Sequence, residues 1–228
     1  MKRRSLLQVL GLAGAGTLLS GCEYVFGRDW AFNEKLSLVV STPTGDKTGV
    51  AVTHWQMSKS PGMFYSLGGL GGNQTGEAAV IDLGEGKLLF ALLGKPDPVL
   101  GLYQKNQVAD GLEDALDEMT SKKISSAVPA DQYPLLVTFD NIADPKSVKQ
   151  VKPSDLAATF GAGYSLKRIT LEITDEKVTE GVVEKVLGWL YEPKYRNNPI
   201  WASLPDLTQK TISGLKQPLS ANSLGAKP

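Results

Sequence analysis

The sequence predicts an α+β domain, mainly an antiparallel sheet of about six strands with two or three peripheral helices. Three observations carry this. Short alternating segments pair across turn residues, at Pro43-Thr44-Gly45-Asp46-Lys47 and at Gly84-Glu85-Gly86. The run Leu88-Leu89-Phe90-Ala91-Leu92-Leu93 is apolar at every position, as a strand covered on both faces must be. Apolar stripes at helical spacing occur in only a few places, the clearest being Leu112, Ala115, Leu116 and Met119.

The elements follow in order. Lys35 to Thr42 is the first strand. Gly49 to Gln56 is its partner, with Val50, Val52 and His54 on one face and Ala51, Thr53 and Trp55 on the other. Ser58 to Gly76 reads as a Gly-rich loop. Glu77 to Leu83 and Lys87 to Leu93 form a hairpin, and the second is the central strand. Pro96 and Pro98 break regularity before a helix over Ala109 to Lys122. Leu135 to Phe139 is a buried strand ended by Asp140-Asn141. Pro153 opens a helix that runs through Phe160 and stops at Gly161. Leu166 to Thr174 alternates, with Ile169, Leu171 and Ile173 inward and Lys167 the one polar exception on that face. Thr179 caps a last helix whose stripe is Val182, Val183, Val186, Leu187 and Leu190. Beyond Glu192 the chain is rich in Pro and Asn, and its end, Ser220 to Pro228, is expected to be disordered. No internal repeat of 20–50 residues is present.

The chain's start has a separate logic. Lys2, Arg3 and Arg4 form a basic segment without an acid, and Leu6 to Leu19 is apolar and small. That stretch is too short for a transmembrane helix, which needs about 20 apolar residues. It fits a cleavable signal. Leu19-Ser20-Gly21-Cys22 resembles the lipobox of bacterial lipoproteins. The resemblance implies that signal peptidase recognises Leu19, Ser20 and Gly21. It also implies that Cys22 becomes the mature N-terminus, carrying a diacylglycerol on sulfur and an acyl chain such as palmitate on its amine. One chain binds a membrane only marginally, whereas three hold it almost permanently at about 0.8 kcal/mol per buried CH₂. Arg3-Arg4-Ser5-Leu6-Leu7 resembles the twin-arginine export motif, and an ordinary Sec signal is the alternative. Together these imply a periplasmic location in the cell envelope, lipid-anchored to the inner or outer membrane. The expected organisation is then a signal peptide over 1–21, a tether over 22–34, one domain over 35–192, and an irregular extension over 193–228.

Composition narrows the chemistry. The chain holds 24 basic and 24 acidic residues, and residues 1–21 contain three bases and no acid, leaving about −3. No basic cluster suggests nucleic-acid binding. Cys22 is the only cysteine, so the mature domain has neither a disulfide nor a thiol-based metal site. No Gly-x-Ser-x-Gly elbow is present, and His54 is the only histidine. A lone histidine beside two valines on a strand face reads more simply as a structural residue with one hydrogen bond than as a catalytic base. Asp82, Asp140, Asp144, Glu172, Asp175 and Glu176 offer carboxylates for acid–base work or calcium, but no spacing matches an EF-hand, and they read more simply as solvated strand ends. The Gly68–Gly76 stretch lacks the Gly-Lys-Ser/Thr ending of a phosphate loop. Met63, Phe64 and Tyr65 beside it are apolar residues suited to a partner or to lipid headgroups, and Trp30 in the tether suits a membrane interface.

Three stretches, Gly76 to Gly84, Asp155 to Gly161 and Lys167 to Asp175, resemble an uncharacterised family of bacterial envelope proteins. That resemblance implies no catalytic residue, cofactor or metal. The leading expectation is a non-enzymatic, lipid-anchored binding or structural module with an envelope protein as partner. The alternatives are an envelope hydrolase using carboxylates or His54, and a small-ligand binder with a pocket beside the Gly-rich stretch.

Overall fold

The hairpin at Gly84-Glu85-Gly86 forms as its residues dictate. β4 (Ala79–Gly84) and β5 (Lys87–Ala91) pair antiparallel, Val80 opposite Phe90 and Ile81 opposite Leu89. Glu85 and Gly86 both take left-handed φ, 55° and 73°. That handedness matches the twist of the flanking strands in a two-residue turn. Glu85 is a rare residue there. Its carboxylate meets Lys87 Nζ at 2.8 Å.

The structure is a computed structural model that describes residues 27–59, 70–94, 112–191 and 205–217. The remaining strands are β1 (Arg28–Thr42), β2 (Gly45–Lys59), β3 (Leu70–Glu77), β6 (Ser125–Ala127), β7 (Leu136–Phe139), β8 (Val148–Val151), β9 (Ser165–Thr174) and β10 (Lys216–Gln217). The helices are α1 (Leu112–Lys122), α2 (Ala157–Phe160), α3 (Val182–Val186) and α4 (Asp206–Leu215). The fold is α+β and mostly antiparallel. In place of one sheet of about six strands, the described strands form two. One has six strands in the order β10-β3-β2-β1-β9-β6, and the other has four in the order β4-β5-β7-β8.

By internal contacts the chain divides into two compact units, Met1–Ala31 with Gln56–Asn73, and Phe32–Trp55 with Gln74–Pro228. In the first, the described residues are strand ends. Arg28 places its guanidinium 4.9 Å from the centre of the Trp30 ring. Trp30 is buried within β1, not displayed on a tether. β1 starts at Arg28, so the expected tether is strand from there on.

In the second unit, Leu89 and Phe90 are both fully buried, as a strand covered on both faces requires. β5 lies inside the four-stranded sheet, and Phe90, Val137, Val183, Leu187, Trp189, Ile212 and Leu215 share one core cluster. The Phe139 ring stands edge-on to Phe90 at 5.5 Å and to Trp189 at 6.0 Å. β2 passes close to β4 at Gly49. A Cβ there would lie 2.1 Å from Ile81 Cγ1 and 2.9 Å from the Val80 carbonyl, so only glycine fits.

Four further details depart from the sequence reading. The segment after Pro153 is a turn, and α2 starts only at Ala157. The last expected helix is the short α3 followed by a 3₁₀ turn at Gly188–Tyr191. Part of the expected Gly-rich loop is strand β3. The expected irregular extension contains α4 and β10, with Ile212 and Leu215 in the core. The polar exception Lys167 also has its reason. Val39 pairs with Arg168 and Val40 with Leu166, so Lys167 is the extra residue of a β-bulge. The bulge shifts the alternation, and Lys167 turns outward to Asp46 Oδ2 at 2.7 Å.

Candidate binding site

The inward face of β1 carries Phe32, Glu34, Leu36 and Leu38 at every second position, and Glu34 is the one carboxylate in that series. It is 3% exposed. On β2 the same alternation turns Ala51 and Thr53 inward. Gln74 and Glu77 come from β3. Of these, Glu34, Leu36, Ala51, Thr53, Gln74 and Glu77 line, together with Gln132, a cavity of about 30 Å³, whose apolar walls also include Leu92, Leu93 and Val128. That volume holds a water-sized group.

Glu77 is fully buried. Its carboxylate accepts three backbone N–H bonds, from Gly181 at 2.7 Å, Val182 at 2.9 Å and Val183 at 3.1 Å. These are the donors that the first turn of α3 leaves without intrahelical partners. Burying a carboxylate is costly unless such hydrogen bonds compensate. Thr179, expected as the cap, has a different task. Its Oγ1 accepts from Val52 N and its own N–H donates to the Val52 carbonyl, both at 2.9 Å, which ties the α3 approach to β2. Thr53 Oγ1 accepts from Gln74 Nε2 at 3.2 Å. Gly76 allows that packing. With φ at 135°, a Cβ there would sit 3.0 Å from Thr53 Cγ2.

His54 lies on the opposite face of β2 from Thr53, away from the cavity carboxylates. Its Nδ1 meets Asn33 Oδ1 at 2.8 Å, and Asn33 Nδ2 donates to the Glu176 carbonyl at 2.9 Å. Because Oδ1 can only accept, His54 Nδ1 carries the hydrogen. Partial burial pushes the imidazole pKa below its ordinary 6.5. Between that lowered value and 6.5 the unfolded chain binds more protons than the folded one, so stability rises with pH across this window. Acidification from about pH 7 to about pH 5 is therefore expected to lower the urea midpoint, with His54→Gln flattening that part of the curve. Identical pH profiles for both proteins would refute it.

The other sequence candidates are held in local contacts. Asp82 accepts from Gly84 N at 2.8 Å in the hairpin turn, and Asp144 from Lys146 N at 2.9 Å in a 3₁₀ turn. Asp140 pairs with Lys149 at 2.6 Å. Asp175 pairs with Lys123, and Glu176 with Lys35, whose cross-strand neighbour is Glu172. None of these six lines the cavity. Trp189 is core, its Nε1 donating to the Ile142 carbonyl at 2.7 Å. Arg3, Arg4, Leu19, Ser20, Gly21, Cys22 and the Met63-Phe64-Tyr65 stretch lie outside the described residues. Among the described residues no helix is long and apolar enough to cross a membrane, and no group of three or more His, Cys, Asp or Glu could hold a metal ion.

Comparison of the chain with known protein families, with curated proteins and with solved structures gives no match.

Proposed function

We propose that this chain is a lipid-anchored module of the bacterial cell envelope that binds its target through the cavity over β1, β2 and β3. One observation carries the binding half. Two buried carboxylates, Glu34 and Glu77, and the Thr53–Gln74 pair line one small cavity with apolar walls. Such a mix of apolar walls and a few placed polar groups is the usual make-up of a ligand site. The cavity draws on Gln74 and Glu77, at and just beyond the Gly-rich stretch. The anchoring half rests on the order of basic start, short apolar run and Leu19-Ser20-Gly21-Cys22. β1 starts six residues after Cys22, which span at most about 20 Å. A Cys22 anchor would therefore hold the sheet beside the bilayer.

Two measurements test the two halves. Labelling with radioactive palmitate is expected to mark the wild type and not Cys22→Ser, and equal labelling removes the anchor. Native mass spectrometry of protein released from membranes is expected to show a retained small molecule. Ala51→Leu, which fills the cavity, should lose it. A wild type without any such adduct, or an adduct unchanged in Ala51→Leu, removes the binding reading.

A further inference from the structure

We infer that the cavity takes the hydroxyl end of an uncharged alcohol with an alkyl stem, an inference that rests on reading the cavity as the binding site. The two carboxylates of the lining are engaged. Glu77 accepts three backbone N–H bonds, and Glu34 has an interaction of its own. The groups left to a ligand are therefore uncharged. Thr53 is 3% exposed, and its Oγ1 accepts from Gln74 Nε2. Among the described residues its hydroxyl hydrogen has no acceptor, while Gln74 keeps Oε1 and a second N–H. The half-buried Gln132 adds a further amide with both a donor and an acceptor. This lining both donates and accepts. An ammonium offers no acceptor to the Thr53 hydroxyl. A carboxylate offers no donor to Gln74 Oε1 and would share the cavity with the Glu77 carboxylate. A hydroxyl does both, accepting from Thr53 and donating to Gln74 Oε1. Size points the same way. About 30 Å³ admits a water-sized group, and a hydroxyl hydrogen-bonds as water does. Leu36, Leu92 and Leu93 give the apolar contact that an alkyl stem needs.

Amide NMR spectra of the nitrogen-labelled full chain in detergent micelles test this, with 1-butanol as probe. The readout is the Gln74 side-chain NH₂ pair, assigned by its loss in Gln74→Leu, so alcohol dissolved in the micelle is not counted as binding. Sodium butyrate, n-butylammonium chloride and methyl propyl ether are the controls. Saturable movement of the Gln74 pair is expected with 1-butanol, at concentrations at which the three controls leave it in place. Thr53→Val, which keeps shape and removes the hydroxyl, should raise the half-saturating concentration about tenfold, as expected for one neutral hydrogen bond. Thr53→Ser, which keeps the hydroxyl, should stay within about threefold of the wild type. The ligand series on the wild type decides the matter if Thr53→Val lacks a folded circular dichroism spectrum. A Gln74 pair that stays in place, moves equally with the ether, or titrates identically in folded Thr53→Val overturns the inference. With an unmoved Gln74 pair, an adduct that Ala51→Leu loses leaves the site standing for another ligand. A wild type without an adduct then removes the site as well.

Discussion

A chain ending at Tyr191 is expected to show no cooperative unfolding transition. The missing part contains α4 and β10. Ile212 and Leu215 leave the cluster around Phe90, Val137 and Trp189. Each loss resembles a large-to-small core substitution, about 2–5 kcal/mol. Two backbone donors are stranded as well. Leu93 N–H donates to the Gly214 carbonyl at 2.7 Å and Ala78 N–H to the Leu215 carbonyl at 2.9 Å. A buried donor without its acceptor costs about 1–3 kcal/mol. The sum is on the order of the whole stability of a domain, about 5–15 kcal/mol. Circular dichroism during heating checks it, with a chain ending at Gln217 as the control that keeps all these contacts. A sigmoidal melt of the shorter chain within a few degrees of the control would contradict this assignment.

Glu77→Ala is expected to destabilise by about 3 kcal/mol or more, because three N–H groups at the start of α3, that of Val183 buried, lose a carboxylate acceptor together. Glu77→Gln separates shape from chemistry. Its amide oxygen can serve Val182 and Val183, but its NH₂ then faces the Gly181 N–H, donor against donor. A loss of about 1–3 kcal/mol should remain despite near-identical volume. Urea midpoints of the three proteins should fall in the order wild type, Gln, Ala. A Gln variant as stable as the wild type would mean that the α3 start does not depend on the carboxylate.

The parts of the fold that local chemistry decides were legible in the sequence. The β4–β5 hairpin follows from two alternating segments around Gly-Glu-Gly, and the burial of Leu89 and Phe90 from an unbroken apolar run. The division into two sheets was not legible. Alternation tells which face of a strand is inward, and says nothing of its neighbour. β1 takes β9 as one partner, with Leu36 opposite Leu171, far along the chain. α4 was hidden because its buried side includes Thr208 and Thr211, which dilute the apolar stripe, and because Thr, Ser and Gly are weak helix formers. The candidate site left a trace that was readable only in part. Glu34 follows Trp30 and Phe32 in one inward series and precedes Leu36 and Leu38, so a carboxylate inside a core face was already written there. Reading residues 22–34 as a tether hides it, because β1 already starts at Arg28. Glu77 reads from the sequence as the first residue of the hairpin strand, whereas it ends β3 in the other sheet, and its partners at Gly181, Val182 and Val183 lie over a hundred residues away.

The pairing of β10 with β3, and of β9 with β1, constrains how the protein can be made. Lys216 lies opposite Glu77, and Ser165 opposite Ser41. Strands made early thus wait for partners made late. A ribosome adding about 5–20 residues per second exposes the early strands for many seconds before the partners appear. During synthesis the six-stranded sheet cannot be completed, and the apolar run of β5 lacks the cover supplied by Ile212 and Leu215. The six-stranded sheet is therefore completed only after Gln217 has been made, which gives folding a slow, long-range final step.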